Sequence, residues 1–156
     1  MQNFIMLIIL IIIYNVIGFL IGQKYPIGNQ TWYQNINLPG LPPNYIFIII
    51  WSILYTMLAI SIYLIAQSDH NNKKIYHMAI IFFIIQMILN YLFTIFFSKK
   101  YLVLSTYIIL LTIMFALLAA IIFYQINIYA TLLLIPYIVW LLQAWYFSNR
   151  VSEQVQ

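Results

Sequence analysis

Charged side chains and cysteines are the scarcest components of this 156-residue chain. Lys, Arg, Asp and Glu together make up 5% of it, and it contains no cysteine. A soluble domain usually carries about a quarter charged residues, so this composition excludes a cytosolic enzyme. The absence of cysteine excludes a secreted disulfide scaffold. The six Lys and Arg residues are too few and too scattered to form a face that binds nucleic acid.

Long apolar stretches dominate the chain. Apolar residues account for 66% of it, and its mean hydropathy is +1.01. A folded domain of this length buries only about 70% of the surface of its unfolded chain, so a soluble globule could not hide them all. A membrane-spanning helix needs about 20 apolar residues, and five stretches are long enough. The sequence predicts an all-α membrane protein, one five-helix domain over 1–156, with spans at about 4–22, 45–66, 77–97, 102–124 and 130–149.

The placement of the charges predicts how the bundle is oriented. The charged residues on the side of the amino terminus are Asp69, Lys73 and Lys74, and those on the other side are Lys24, Lys99, Lys100, Arg150 and Glu153. Cytoplasmic loops carry the excess of Lys and Arg in membrane proteins. The second side, with the first loop and the carboxy terminus, is therefore predicted to face the cytoplasm.

The inventory of ionisable side chains excludes most catalytic mechanisms. The two carboxylates, Asp69 and Glu153, are predicted on opposite sides of the bilayer, which excludes paired-carboxylate catalysis. No ionisable carboxylate, Lys or Arg lies within a predicted span, which argues against a proton relay or an ion-coupled carrier. His70 and His77 are interpreted as solvated residues at the membrane interface. We expect no metal site and no required cofactor.

The first connection, at about 23–44, differs from the other four in length and content. It contains the aromatic pair Trp32 and Tyr33 and several prolines, among them Pro42 and Pro43. Proline fixes the backbone and removes a hydrogen-bond donor, so this segment is not a flexible tether. Two interpretations are open: a lid over a site, or a surface loop anchored at the interface by its aromatic rings.

Aromatic and amide side chains are the remaining candidates for a site. They fall into three stripes with helical spacing: Trp51 and Tyr55 in the second span; Gln86, Asn90, Phe93 and Phe97 in the third; Tyr137, Trp140 and Ala144 in the fifth. An amide in hydrocarbon needs a partner, so Gln86 and Asn90 must face protein or a cavity. The stripes either line a pocket or only join helices and fill the core, and three of them beneath a Pro/Trp loop favour a pocket.

Small residues and one proline predict details of helix packing. Gly18 and Gly22 in the first span have the spacing that lets two membrane helices approach closely. Thr112, Ala116 and Ala120 form a similar small-residue stripe in the fourth span and are interpreted as structural. A proline in the fifth span, at 136, is predicted to kink that helix by removing a backbone hydrogen bond.

Motifs in three segments occur together, and in the same order, in one family of membrane proteins. They are Trp32-Tyr33, Pro39, Pro42-Pro43 and Trp51 with Leu54-Tyr55 in the first loop and second span, Asn90 in the third span, and Pro136, Tyr137, Trp140 and Ala144 in the fifth. Over essentially the whole chain this pattern resembles the TspO/MBR family, the tryptophan-rich sensory proteins and the mitochondrial translocator protein. The chain departs from the family pattern at Leu41, Phe93, Phe96-Phe97, Gln143 and Ser148.

The resemblance implies a bundle, commonly a homodimer, whose pocket is closed by the first loop. The implied ligand is protoporphyrin IX, a related tetrapyrrole or another apolar aromatic molecule. The implied role is that of a sensor, carrier or stress modulator in a bacterial cell membrane. The expected ligand-binding residues are Trp32, Tyr33, Pro42, Pro43, Trp51, Tyr55, Gln86, Asn90, Phe93, Tyr137, Trp140 and Ala144.

Two alternatives to simple binding stay open. Some bacterial members of the family are described as breaking down protoporphyrin in a light- and oxygen-dependent oxidation that relies on pocket tryptophans. In that case Trp51 and Trp140 would be the catalytic residues, because an indole is an oxidisable partner for a photoexcited porphyrin. The other alternative is an accessory bundle that binds no ligand and only stabilises a partner complex.

Overall fold

The computed structural model describes residues 2–27, 30–36, 44–68 and 72–155. Within these residues the chain forms six helices: α1 (Gln2–Lys24), α2 (Thr31–Gln34), α3 (Asn44–Gln67), α4 (Lys73–Ser98), α5 (Leu102–Ile126) and α6 (Ile128–Val155). α2 is a single turn, whereas the other five are long and apolar enough to cross a membrane. The predicted all-α, five-span membrane bundle is confirmed.

The five long helices are arranged as a ring with one weak junction. α1 packs on α3, α3 on α6, α6 on α5 and α5 on α4, while the contact between α1 and α4 that completes the ring is much smaller. Most of the fully buried side chains come from α4, α5 and α6, and none of the described side chains of α1 is fully buried. The first helix is therefore the least embedded wall of the bundle.

Polar and apolar side chains are distributed as expected for a protein dissolved in lipid. Large apolar residues such as Ile12, Leu104 and Val139 are exposed on the outside of the bundle. Several polar side chains within the spans are buried, among them the fully buried hydroxyl residues Ser61, Ser105 and Thr112. The Ser61 hydroxyl donates to the backbone carbonyl of Ala130 at 2.7 Å, and Thr112 donates to the carbonyl four residues before it. The Ser61 and Thr112 hydroxyls thus have the partners that hydrocarbon cannot supply.

All five spanning helices are longer than the predicted apolar stretches, and α4 and α6 exceed theirs the most. α4 begins at Lys73 rather than at 77, because the Asn72 side chain caps it by accepting from the backbone N–H groups of Lys74 and Ile75 at 3.1 and 3.3 Å. α6 continues to Val155 rather than ending at 149, through a polar last turn. There the Asn149 side chain donates to Glu153 Oε1 at 2.9 Å.

Candidate ligand-binding cavity

A cavity of about 630 Å³ lies at the end of the bundle where α1 ends and α3 begins. Its walls come from α1, the segment 25–27, α2, α3, α4 and α6, whereas no described residue of α5 contributes. Sites for small molecules commonly have volumes of about 300–1,000 Å³, so the space suits a drug-sized or larger aromatic ligand. The cavity is mainly apolar, with a small number of polar side chains in its wall.

Trp51 stands at the centre of an aromatic wall. Its ring centroid lies 5.3 Å from that of Tyr55, 6.5 Å from that of Trp140 and 6.4 Å from that of Tyr137. Phe47 extends the wall, with its centroid 5.9 Å from the Trp140 ring in an edge-on arrangement. Tilted and edge-on pairs at these distances are the favourable geometries for aromatic rings. Neighbouring rings therefore hold this face of the cavity in place.

The opposite wall is formed by small and polar residues of α1. A Cβ atom added at Gly18 would overlap the Tyr55 ring, so the absence of a side chain at this glycine lets that ring approach α1. A Cβ atom added at Gly22 would meet nothing within 4 Å, because this glycine opens onto the cavity. The Asn15 side chain, which also lines the cavity, donates to Thr56 Oγ1 at 3.1 Å. Of the predicted glycine pair, Gly18 thus permits the contact between helices, and Gly22 borders the open space of the cavity.

A buried polar layer lies behind the aromatic wall. The Tyr137 hydroxyl donates to Gln86 Oε1 at 2.5 Å, and the Asn90 side-chain amide donates to the Tyr55 hydroxyl at 3.2 Å. Gln86, Asn90 and Tyr137 are at most 1% exposed and do not line the cavity, whereas Tyr55 does. Gln86 Nε2 and Asn90 Oδ1 have no hydrogen-bond partner among the described residues. The amides therefore face protein and hold the tyrosines from behind.

The described part of the first connection is fastened to the end of α4. The Gln30 side chain donates to Ser98 Oγ at 2.8 Å and accepts from the Trp32 indole N–H. The Trp32 and Tyr33 rings pack on Phe97, with centroids 5.8 and 6.4 Å from it. Tyr33 is buried and lines the cavity. Burial raises the pKa of its phenol to about 12, so the hydroxyl stays neutral at physiological pH.

The rim of the cavity is basic. Tyr25 lines the cavity, and the ammonium nitrogens of Lys24 and Lys99 each lie 5.7 Å from the centre of its ring. Arg150 forms an ion pair with Glu153 at 3.5 Å, the single ion pair found within the described ranges. An anionic group near this rim would therefore meet two ammonium groups.

Six of the predicted site residues line the cavity: Tyr33, Trp51, Tyr55, Phe93, Trp140 and Ala144. Trp32 lies just outside, against Tyr33 and Phe97. Pro42, Pro43 and His70 lie outside the described residues. The other histidine, His77, is exposed, and its Nδ1 lies 2.5 Å from the carbonyl oxygen of Lys73. Pro136 lies inside α6, and its effect on the direction of that helix stays a prediction.

Several lining residues were not predicted from the sequence. On α6 they are Gln143, Phe147, Ser148 and Val151, which share a helical face with Trp140 and Ala144, so the same spacing rule could have found them. On α1 they are Asn15, Gly18, Phe19, Gly22 and Gln23. The first span is apolar on nearly all sides. Asn15 shares one helical face with the predicted glycine pair, so this spacing could have indicated an inward face.

Comparison with known proteins gives a consistent family assignment. The family model described as the TspO/MBR family matches residues 8–152. The tryptophan-rich sensory protein of Cereibacter sphaeroides is 27% identical over 113 residues, which are 71% of this chain and 68% of that relative. The tryptophan-rich protein TspO of Archaeoglobus fulgidus is 29% identical over 116 residues, 74% of each chain.

Proposed function

Since the chain belongs to the TspO/MBR family, we propose that it binds tetrapyrroles such as protoporphyrin IX within the membrane and acts as a sensor, carrier or stress modulator. The single observation that carries this proposal is the cavity of about 630 Å³ with Trp51, Tyr55 and Trp140 in its wall. The resemblance identified in the sequence is confirmed at the level of the family. The multi-pass membrane location follows from the five apolar helices.

The volume and the lining of the cavity support a porphyrin as its ligand. A porphyrin macrocycle is flat, large and apolar, so it prefers a concave site lined by aromatic rings with a few polar groups to orient it. The aromatic wall around Trp51 supplies the rings, and α1 supplies open space at Gly22. The neutral phenol of Tyr33, carried by the first connection, supplies a hydrogen-bond donor in the wall.

Titration with protoporphyrin IX in neutral detergent tests the proposal. We expect the Soret band to shift saturably, with about one porphyrin per chain, while tryptophan fluorescence is quenched in parallel. Empty micelles at the same detergent concentration are the control. A linear, partition-like response equal to that of the micelles would show absorption by an apolar surface and would contradict the proposal. It would instead favour the accessory-bundle alternative.

A second candidate function, light- and oxygen-dependent degradation of protoporphyrin, is favoured by one observation. Trp51 and Trp140 both line the cavity, and their ring centroids are 6.5 Å apart. A bound porphyrin would therefore contact two oxidisable indoles. The other two tryptophans, Trp32 and Trp145, are not among the lining residues.

Replacing either cavity tryptophan by phenylalanine separates degradation from binding. We predict that Trp51→Phe and Trp140→Phe change the affinity for protoporphyrin by at most about tenfold, about 1.4 kcal/mol, because an apolar ring is kept. If the protein degrades porphyrin, light-driven loss of the Soret band should slow sharply in both variants. Trp145→Phe is the matched control. Bleaching in the wild type no faster than in empty micelles would exclude the enzyme reading.

We further propose that the protein resides in a bacterial cell membrane with the cavity end on the cytoplasmic side. The charge bias supports this orientation, since Lys24, Lys99, Lys100 and Arg150 all lie at that end, against Lys73 and Lys74 at the other. The family resemblance also supports a homodimer. Labelling of single cysteines placed at the carboxy terminus and beside Lys73, in intact and in opened cells, tests the orientation.

A further inference from the structure

Two ammonium groups from different helices converge on one aromatic ring at the rim of the cavity. Lys24 is the last residue of α1, and Lys99 caps the carboxy-terminal end of α4. Each ammonium nitrogen lies 5.7 Å from the centre of the Tyr25 ring, within the range of a cation–π contact. Two positive charges from different helices are thus held near one ring. A negative charge placed beside that ring would be attracted by both.

The described part of the protein supplies no carboxylate to this pair of lysines. The chain has two acidic residues, Asp69 and Glu153. Glu153 is engaged with Arg150. Asp69 follows Ser68, whose hydroxyl accepts a hydrogen bond from Asn127 at the opposite end of the bundle, where α5 meets α6.

The position of the lysines relative to the cavity suggests where the missing negative charge comes from. Tyr25 lines the cavity, as do Gln23, next to Lys24, and Phe97, two residues before Lys99. A ligand whose apolar body fills the cavity would therefore end beside both ammonium groups. Hydrogen bonds between an ammonium group and a carboxylate are charge-assisted and about twice as strong as neutral ones.

We propose that Lys24 and Lys99 form a carboxylate-binding pair at the rim. The cavity then prefers an amphipathic aromatic anion to a neutral aromatic molecule. The apolar body of the ligand lies against the aromatic wall, and its carboxylate lies at the rim beside the Tyr25 ring, within reach of the two lysines. This inference rests on the proposed function, because it requires that the ligand occupy the cavity. Beyond the proposed function, the inference specifies that the ligand is negatively charged and that Lys24 and Lys99 select for this charge.

The test compares protoporphyrin IX, which has two carboxylates, with its dimethyl ester, which has none. The variant is Lys24→Gln/Lys99→Gln, and the matched control is Lys73→Gln/Lys74→Gln, which removes the same charge from the other end of the bundle. The wild type and both variants are titrated with each compound in neutral detergent, after gel filtration and circular dichroism show that the proteins are folded. We expect the rim variant to bind the diacid at least tenfold more weakly and the ester as the wild type does. The control variant should bind both compounds as the wild type does.

Salt dependence gives a second readout. Added sodium chloride should weaken binding of the diacid to the wild type and have little effect on the rim variant, since salt screens exposed charges. Equal affinities of wild type and rim variant for the diacid would overturn the assignment while leaving binding in the cavity intact. Equal losses for diacid and ester would also overturn it, by showing a structural role for the lysines. Absence of saturable binding of either compound to the wild type would instead contradict the proposed function itself, and this inference with it.

Discussion

Single residues of α1 decide how closely it can approach its neighbour and how much space it leaves. Gly18 faces the Tyr55 ring, whereas Gly22, one turn later, faces open space. We predict that Gly18→Ala lowers the free energy of unfolding by about 1–3 kcal/mol, because its methyl group forces the buried Tyr55 ring to move. Gly22→Ala should be neutral or stabilising by up to about 1 kcal/mol, since alanine favours a helix. Thermal unfolding in detergent measures both, and equal destabilisation would contradict the division of roles.

At the same scale, the polar layer behind the cavity should matter for stability more than for binding. Tyr137→Phe removes the donor to Gln86 Oε1 and leaves a fully buried amide without its partner. Side-chain hydrogen bonds between membrane helices average about 0.6 kcal/mol and reach about 1.7, so we predict a loss of about 1 kcal/mol in unfolding free energy. Protoporphyrin affinity should stay within about twofold, as the aromatic ring remains. Tyr146→Phe, at an exposed tyrosine, is the control; loss of affinity without loss of stability would contradict this account.

At the scale of elements, the first connection is held by a hydrogen bond that can be removed alone. Ser98→Ala deletes the acceptor for the Gln30 side chain and thereby loosens the segment that carries Tyr33 over the cavity. Changes in affinity caused by mutations at a binding site appear mainly in the dissociation rate. A bond worth about 1 kcal/mol predicts about fivefold faster porphyrin release, with association changed less than twofold. Stopped-flow measurement checks this against Ser68→Ala, which removes a comparable bond at the far end of the bundle. If Ser98→Ala released porphyrin at the same rate as the wild type, the segment would be a surface loop anchored at the interface rather than a lid.

The helices also show which elements a sequence of this kind specifies. All five spans could be predicted, because each has a long apolar stretch. The ends of the helices could be predicted less well, because a hydropathy-based prediction ends a helix where polar residues begin. The Asn72 cap extends α4 beyond that point, and the contact between Asn149 and Glu153 extends α6. These extensions depend on side-chain hydrogen bonds that hydropathy does not register.

At the scale of the whole molecule, the cavity exists because four long helices and the first connection meet at one end while α5 packs behind them. The sequence predicted the faces of α3 and α6, where rings such as Trp51 and Trp140 repeat at helical spacing. It placed Gln86 and Asn90 among the ligand-binding residues, whereas their side chains lie behind the aromatic wall. The glycine pair indicated a packing face on α1, but the position of that face opposite the aromatic wall could not be predicted, because helix order around a bundle depends on long-range packing that the spacing of residues within one span does not encode.

The central claim is that protoporphyrin occupies the space between α1 and the aromatic wall, and filling that space tests it most directly. Gly22→Phe places a ring where the structure has no atom within 4 Å of the added Cβ, so the fold should tolerate it. Wild type and Gly22→Phe are titrated side by side with protoporphyrin IX in neutral detergent, at matched concentrations of folded protein. The account predicts saturable binding of about one porphyrin per chain by the wild type and a loss of at least tenfold in affinity for the variant. Undiminished saturable binding by a folded Gly22→Phe protein would contradict it.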